Sequence, residues 1–348
     1  MTARLYLDWN ATTPLRTEAK AAMLEAMELV GNPSSVHAEG RRARALLERA
    51  RGQILNALGA DGADLIFTSG ATEAAALACR GRGLSCAEVE HEAVAAWCDP
   101  VLDVAPNGKV SVTDPAKSAV QLANSETGIV QDLPQGLAVS DLTQGFGKLP
   151  FAFNWLGCDM GLLSAHKIGG PKGVGAVVMR RGLDLGAQIR GGGQEMGRRA
   201  GTENLIGIAG FAAAAEASAR DLASGVWDEV AEVRNILDQA LSANGFKTIS
   251  VGNDAKRLPN TVSLIAPGWK GETQVMAMDL AGFAVSAGSA CSSGKVRVSR
   301  VLKAMGFDDA MAGQAIRISI GPKVTQAEVL RFADIWAREY RRIQARLV

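Results

Sequence analysis

Residues 164–175 read SAHKIGGPKGVG, a lysine set just past an apolar run and ahead of several glycines. Partial burial lowers a lysine's pKa and frees its amine, and glycines let a flat ligand approach, so Lys167 is placed for Schiff-base chemistry. Lys172 shares the loop, and a solvated lysine in a turn is the plain alternative, so this segment alone does not choose. SGATE, residues 69–73, stands where a strand gives way to a helix. Its first free amides and the Thr72 hydroxyl would make an anion site, although Ser and Thr also serve as ordinary caps. In SDLTQ, residues 140–144, Asp141 ends an apolar strand, where open α/β sheets gather their ligands. A carboxylate there pairs with a cationic ring nitrogen, and Gln144 reaches a nearby oxygen. A capping Asp is the alternative, as a helix-surface histidine is for His91 in VEHEAV.

Two further segments carry reactive residue types. GGGQEMGRRAGTEN, residues 191–204, is too glycine-rich and too charged for a core element, and it misses the dinucleotide pattern by one residue; Arg199 and Thr202 are its anion candidates. SAGSACSSGK, residues 286–295, sets Cys291 among small polar neighbours that no core run would have. Its Gly-Lys ending fails as a phosphate loop, with five residues between Gly288 and Gly294 where the motif needs four, and Val296 where it needs Ser or Thr. Taken in chain order, Thr72, His91, Asp141 and Lys167 offer a phosphate cradle, a carboxylate for a pyridinium nitrogen and a Schiff-base lysine. That set is what pyridoxal 5′-phosphate requires.

The elements that must position these residues alternate between helical and strand periods. Helices are predicted over 17–30, 35–58 and 71–80, with a strand at 64–68. Short apolar runs at 119–123, 137–140, 160–164 and 174–179 read as buried strands, which together make an α/β pattern with a largely parallel sheet. Helices near 204–222 and 226–243 lead into a segment of different character. There, strands at 261–266, 283–287 and 315–320 alternate with helices near 271–281, near 298–305 and from Thr325, as in a smaller α+β domain.

Composition narrows the partners. Lys and Arg number 37 against 36 Asp and Glu, so no global field draws the chain to nucleic acid or an anionic membrane. Apolar stretches fall short of the ~20 residues of a membrane span, and the opening MTARLYLDWN has no charged-then-apolar leader pattern, so a cytoplasmic protein is expected. Five cysteines without a C-x-x-C pair, beside three histidines, support neither a disulfide framework nor a zinc site. Cys79, Cys86, Cys98 and Cys158 are expected to be small core residues.

The chain resembles a cysteine desulfurase of the class V aminotransferase group, in the fold-type I superfamily of pyridoxal-phosphate enzymes. The resemblance rests on LDWNATTP, GNPSSVHAEG, FTSGATE, EHEAV, DLTQGFGKLP, SAHKIGGPKGVGA, GGGQEMGRRAGTEN, SAGSACSS and IRISIG, which run nearly end to end. It implies a large cofactor-binding domain over 14–245, with a mostly parallel seven-stranded sheet flanked by helices. A smaller α+β domain over 1–13 and 246–348 would carry the cysteine loop. It further implies that Lys167 holds the cofactor, His91 stacks on its ring and takes part in catalysis, Asp141 meets the pyridinium nitrogen and Gln144 the ring hydroxyl. Ala71, Thr72, Ser125, Ser164 and His166 complete the cofactor site, with Thr202 entering from the partner subunit of a homodimer. Arg317 and Asn32 bind the substrate, L-cysteine, whose sulfur passes to Cys291 as a persulfide and then to a protein acceptor such as an iron-sulfur scaffold. A selenocysteine lyase or a specialised low-activity desulfurase would keep the same residues.

Departures from the family pattern are local. Ser125 replaces the second Asn of N-N-E-x-G, and Ala74, Ala75 and Ala76 stand where Ser-Asn-Asn is usual. The stretch Val296–Leu302 lacks the usual Pro and Glu and gains basic residues, and 91–124 and 128–141 are short.

Overall fold

The computed structural model describes residues 4–243, 246–288 and 298–347; Cys291 and its neighbours at 289–297 lie outside the described residues. In the first part of the chain come β1 (Leu5–Tyr6), α1 (Thr17–Met27), α2 (Ala38–Ala57), β2 (Asp64–Thr68), α3 (Ala71–Cys79), β3 (Leu84–Ala87), α4 (Glu92–Ala95) and β4 (Cys98–Leu102). They are followed by β5 (Leu137–Asp141), β6 (Cys158–Ser164), β7 (Gly175–Met179), α5 (Leu205–Ala223) and α6 (Val226–Ser242). The remainder contains β8 (Ile249–Ser250), β9 (Thr261–Ile265), α7 (Gly271–Leu280), β10 (Phe283–Ala284), α8 (Arg300–Ala304), α9 (Asp309–Ala312), β11 (Ala315–Ser319) and α10 (Gln326–Leu347).

One sheet carries the order β2-β7-β6-β5, with β7 antiparallel to both neighbours and β5 parallel to β6. Parallel bridges from Val139 to Ala119 and from Ser118 to Ser85 continue it to the parallel pair β3-β4, which makes seven positions in line. The run at 119–123 holds the fifth position by bridges alone and is not a strand. Past Ala119, its edge toward β3 spends the Gln121 amide on the Glu90 carboxylate (2.9 Å) instead of on the ladder. Side chains alternate faces along each strand. Leu65, Phe67, Leu163, Ala176 and Val178 pack with Leu47 and Ile54 of α2 and Phe211 of α5. Ile66, Leu162, Val177 and Met179 pack with Ala74, Leu77 and Ala78 of α3. Helices on both faces of a largely parallel sheet are the α/β architecture of fold-type I pyridoxal-phosphate enzymes.

A separate core gathers Leu5 and Leu7 with residues of β9, β11, α7 and α10. The N-terminal strand belongs to it through the β1-β10 pairing and the Asp8–Ser319 bridge. Trp227, Val230, Leu237 and Leu241 of α6 join this core too. We therefore propose a domain boundary at Gly225, the left-handed residue before α6 (φ 80°), instead of at residue 245. Cys79, Cys86, Cys98 and Cys158 are buried free thiols. No described helix is long and apolar enough to cross a membrane.

Candidate active site

Strands β2, β3, β5 and β6 point the same way, so the segments leaving their C-terminal ends collect on one edge of the sheet. They line a cavity of about 640 Å³ together with Asn10, Ala11 and Thr12 of the N-terminal segment and Arg317 of β11. Ala71, Thr72, His91, Ser125, Asp141, Gln144, Ser164, His166 and Lys167 all reach it. Residues spread over more than 240 positions of sequence thus meet in one place.

Each side chain is held by local structure. Helix α3 starts at Gly70 with no side-chain cap, which leaves its first amides to whatever anion enters the cavity. Between β2 and β6, β7 runs the other way, so its first residue, Gly175, lies at this same edge and abuts the turn. A Cβ on Gly175 would sit 2.5 Å from the Leu163 carbonyl oxygen and 2.7 Å from Gly70 Cα, both backbone atoms. Gly175→Ala is expected to lower stability by about 1–3 kcal/mol, the usual cost of overpacking. An unchanged urea midpoint at unchanged slope would show that the turn yields freely.

His91 caps α4, its Nδ1 accepting from the Ala93 amide at 3.1 Å, so the proton of the neutral ring resides on Nε2. Asp141 is steadied by the Thr143 amide, which donates to Oδ1 at 2.9 Å. Lys167 lies in a short 3₁₀ turn after β6, half-buried, with Nζ donating to the carbonyls of Asn10 (2.6 Å) and Ala11 (3.0 Å). Lys172 also lines the cavity but is exposed, so the two lysines differ in burial. Burial, together with Lys167, Lys172 and Lys148, pushes His166 down to about 4, so this ring stays neutral near pH 7 and meets the Thr12 hydroxyl at 3.1 Å.

Arg317 is 6% exposed. Its Nη2 pairs with Asp8 Oδ1 at 2.6 Å and its Nη1 donates to the Ser125 carbonyl at 3.1 Å, while Nε is buried and has no hydrogen-bond partner among the described residues. A guanidinium pinned on one side with an unused buried N–H is prepared for a carboxylate. In the Ser125 loop, Asn124 Oδ1 accepts from the amides of Glu126 and Thr127, so the first Asn of the motif builds the turn while Ser125 contributes its carbonyl.

Several expected residues are not brought to the cavity. Asn32 is exposed and its Oδ1 accepts from the Ser34 amide in its own loop. Thr202 is exposed and absent from the lining. Arg199 is not a free anion site: its Nε and Nη2 grip both oxygens of Glu73 at 2.8 and 3.3 Å, and so tie the glycine-rich loop to the start of α3. Residues in or directly behind the site that composition and spacing did not single out are Asn10, which lines it, Asp8, which backs Arg317, and Lys148, four residues after Gln144 and bonded to it. Asn10 is 1% exposed and its carbonyl receives both Lys167 Nζ and Gln144 Nε2 (3.0 Å).

The donor set fits pyridoxal 5′-phosphate: an uncapped helix start for a phosphate, a carboxylate at Asp141 for a ring nitrogen and a half-buried primary amine at Lys167. Comparison with known proteins runs in the same direction. The aminotransferase class-V family model matches residues 5–97 and 112–332. A cysteine desulfurase of Cereibacter sphaeroides is 38% identical over 370 aligned positions, covering 95% of this chain and 94% of that protein. Cysteine desulfurase IscS of Dictyoglomus turgidum is 33% identical, with 97% and 95% covered. The solved NifS-like protein of Rickettsia africae superposes with a TM-score of 0.87 at 29% identity, covering 97% of this chain and 99% of that one.

Proposed function

We infer the activity from the fact that this chain belongs to the aminotransferase class-V family, among the cysteine desulfurases: it removes sulfur from L-cysteine with pyridoxal 5′-phosphate and yields L-alanine. The observation that carries this reading is the meeting of Thr72, His91, Asp141 and Lys167 with Arg317 around one cavity.

Bound there, the cofactor's protonated ring would withdraw electron density from the substrate Cα. The amides opening α3, with Thr72, Ser164 and His166, would hold its phosphate, and His166, kept neutral by burial, would do so as a hydrogen-bond partner. Asp141 keeps a proton on the ring nitrogen by offering it a carboxylate, and Gln144 donates to the ring oxygen. Arg317 binds the substrate carboxylate in two-point fashion. Lys167 Nζ, once released, takes the proton from the substrate Cα, and its nearby carbonyl partners at Asn10 and Ala11 keep it within the cavity.

Cys291 is assigned from sequence as the sulfur acceptor. Its thiolate attacks the substrate sulfur, the S–S bond forms as the C–S bond breaks and the electron pair of that bond goes to the substrate side; protonation at Cβ and return of a proton from Lys167 to Cα complete alanine. The persulfide then passes to a thiol-bearing protein, for which an iron-sulfur scaffold is the natural candidate given the IscS relative. Thr202, exposed and absent from the lining of its own chain's cavity, is assigned to the cavity of a second copy in a homodimer. Asn32 is given no role in this reading. Uptake of pyridoxal phosphate with visible absorption, followed by alanine release from L-cysteine, tests the proposal. A protein that stays colourless after incubation with the cofactor would refute it, and faster turnover of L-selenocysteine would move it to the lyase alternative.

A further inference from the structure

Lys148 is an anomaly just behind the cavity: it does not line the cavity itself but bonds to Gln144, which does. It is 2% exposed, and among the described residues no carboxylate pairs with it. Burial, helped by the two neighbouring cations Lys167 and Arg317, pushes it down to about 7. Such a lysine opposes stability, because a buried ammonium without a counter-ion loses its hydration and gains nothing in return. Its hydrogen bond runs to a single acceptor, the Oε1 of Gln144, at 2.8 Å.

That contact has a consequence for the amide. The two ends of a glutamine side chain have nearly the same shape but opposite hydrogen-bonding sense, and the Lys148 amine, which carries N–H groups whether charged or neutral, donates to the C=O end. Lys148 therefore holds the C=O end of Gln144 toward the protein interior, and Nε2 is turned toward the Asn10 carbonyl at 3.0 Å, the same oxygen that receives Lys167 Nζ at 2.6 Å. We propose that Lys148 is a positioning residue whose task is to fix the direction of the Gln144 amide, so that it presents N–H and never C=O to an anionic ring oxygen in the cavity. The lysine does not line the cavity and acts through Gln144, which does. This assignment rests on the cofactor reading above, and its test separates the two.

The test is a double-mutant cycle of Lys148→Met and Gln144→Leu, read twice. In the protein without cofactor, Gln144→Leu strands the buried lysine and is expected to lower the melting temperature by roughly 3–8 °C, while the double variant recovers most of that loss. In the cofactor-loaded protein, Lys148→Met is expected to weaken pyridoxal-phosphate binding about 10-fold in the wild-type background and to have no effect beside Gln144→Leu, as for two groups in one network. It is also expected to move the pH midpoint of the visible absorption in the same direction as Gln144→Leu, which a lysine of purely structural value would leave in place. Melting losses that simply add, or a Lys148→Met protein that binds cofactor as wild type does, would overturn the assignment. A wild-type protein that takes up no cofactor would refute the functional reading, while the melting cycle would still judge whether Lys148 and Gln144 act as a pair.

Discussion

Lys167→Ala protein incubated with pyridoxal phosphate is expected to emerge from gel filtration colourless, and its production of alanine from L-cysteine is expected to fall by at least about 10²–10⁴-fold, the usual contribution of a positioned general base. Two losses combine in this variant. The cavity keeps the uncapped start of α3 and the Asp141 carboxylate, so phosphate and ring are still recognised, but nothing remains to hold the cofactor covalently. The group to which the proposed mechanism gives the substrate proton is also gone. Lys167 is marked for both tasks by where it sits, half-buried after β6 with Nζ already within the cavity and bonded to the Asn10 and Ala11 carbonyls. Lys172→Ala is the matched control, since that exposed side chain lines the same cavity. Its colour and turnover are expected to survive. Loss of both properties in Lys172→Ala, with their retention in Lys167→Ala, would reverse the assignment.

The second large effect concerns Arg317. Replacing it with alanine is expected to raise the KM for L-cysteine by about 10–150-fold with kcat changed only a few-fold, the signature of lost binding shared by ground and transition states. The magnitude is that of one charge-assisted hydrogen-bond pair in a dry setting. The direction follows from geometry: Asp8 and the Ser125 carbonyl secure Nη2 and Nη1, and the buried Nε has no partner among the described residues. Arg317→Lys should recover only part of the loss, because a single ammonium cannot satisfy Asp8, the Ser125 carbonyl and a carboxylate at once. A variant whose kcat collapses at unchanged KM would place Arg317 in the chemical step instead.

Much of the architecture was legible in the sequence because local signals and tertiary packing agree. DLIFT forms β2 at its predicted limits, and the apolar runs at 137–140, 160–164 and 174–179 become β5, β6 and β7 within a few residues. The run at 119–123 looked equally strand-like. Its edge toward β3 is broken by the buried Glu90 carboxylate, a partner 31 positions away that no periodicity reveals. Helix α6 reads as a connector in sequence, yet Trp227 and Leu237 insert into the core of the C-terminal part. Which core an amphipathic helix joins depends on what stands opposite it.

The site divides in a similar way. Residues on turns that follow strands, such as Thr72, Asp141 and Lys167, announce themselves because the topology gathers strand ends on one edge. Residues that work by long-range contact do not. Asp8 meets Arg317 across 309 positions, and Asn10 reaches Lys167 across 157. Lys148 looked like one more charged residue in DLTQGFGKLP, and only its burial beside Gln144 reveals a cost that calls for a function. Arg199, conversely, looked like an anion binder by its glycine-rich neighbourhood. The Glu73 carboxylate that occupies it belongs to another segment.

The most direct measurement is to incubate the cofactor-loaded protein with L-cysteine and a thiol reductant and to count alanine and sulfide together. The wild-type protein is expected to release one sulfide for each alanine over many turnovers, and Cys291→Ala to keep its colour while making neither product. Alanine and sulfide formed at the wild-type rate by Cys291→Ala, or a coloured wild-type protein that leaves L-cysteine unchanged, would contradict the account.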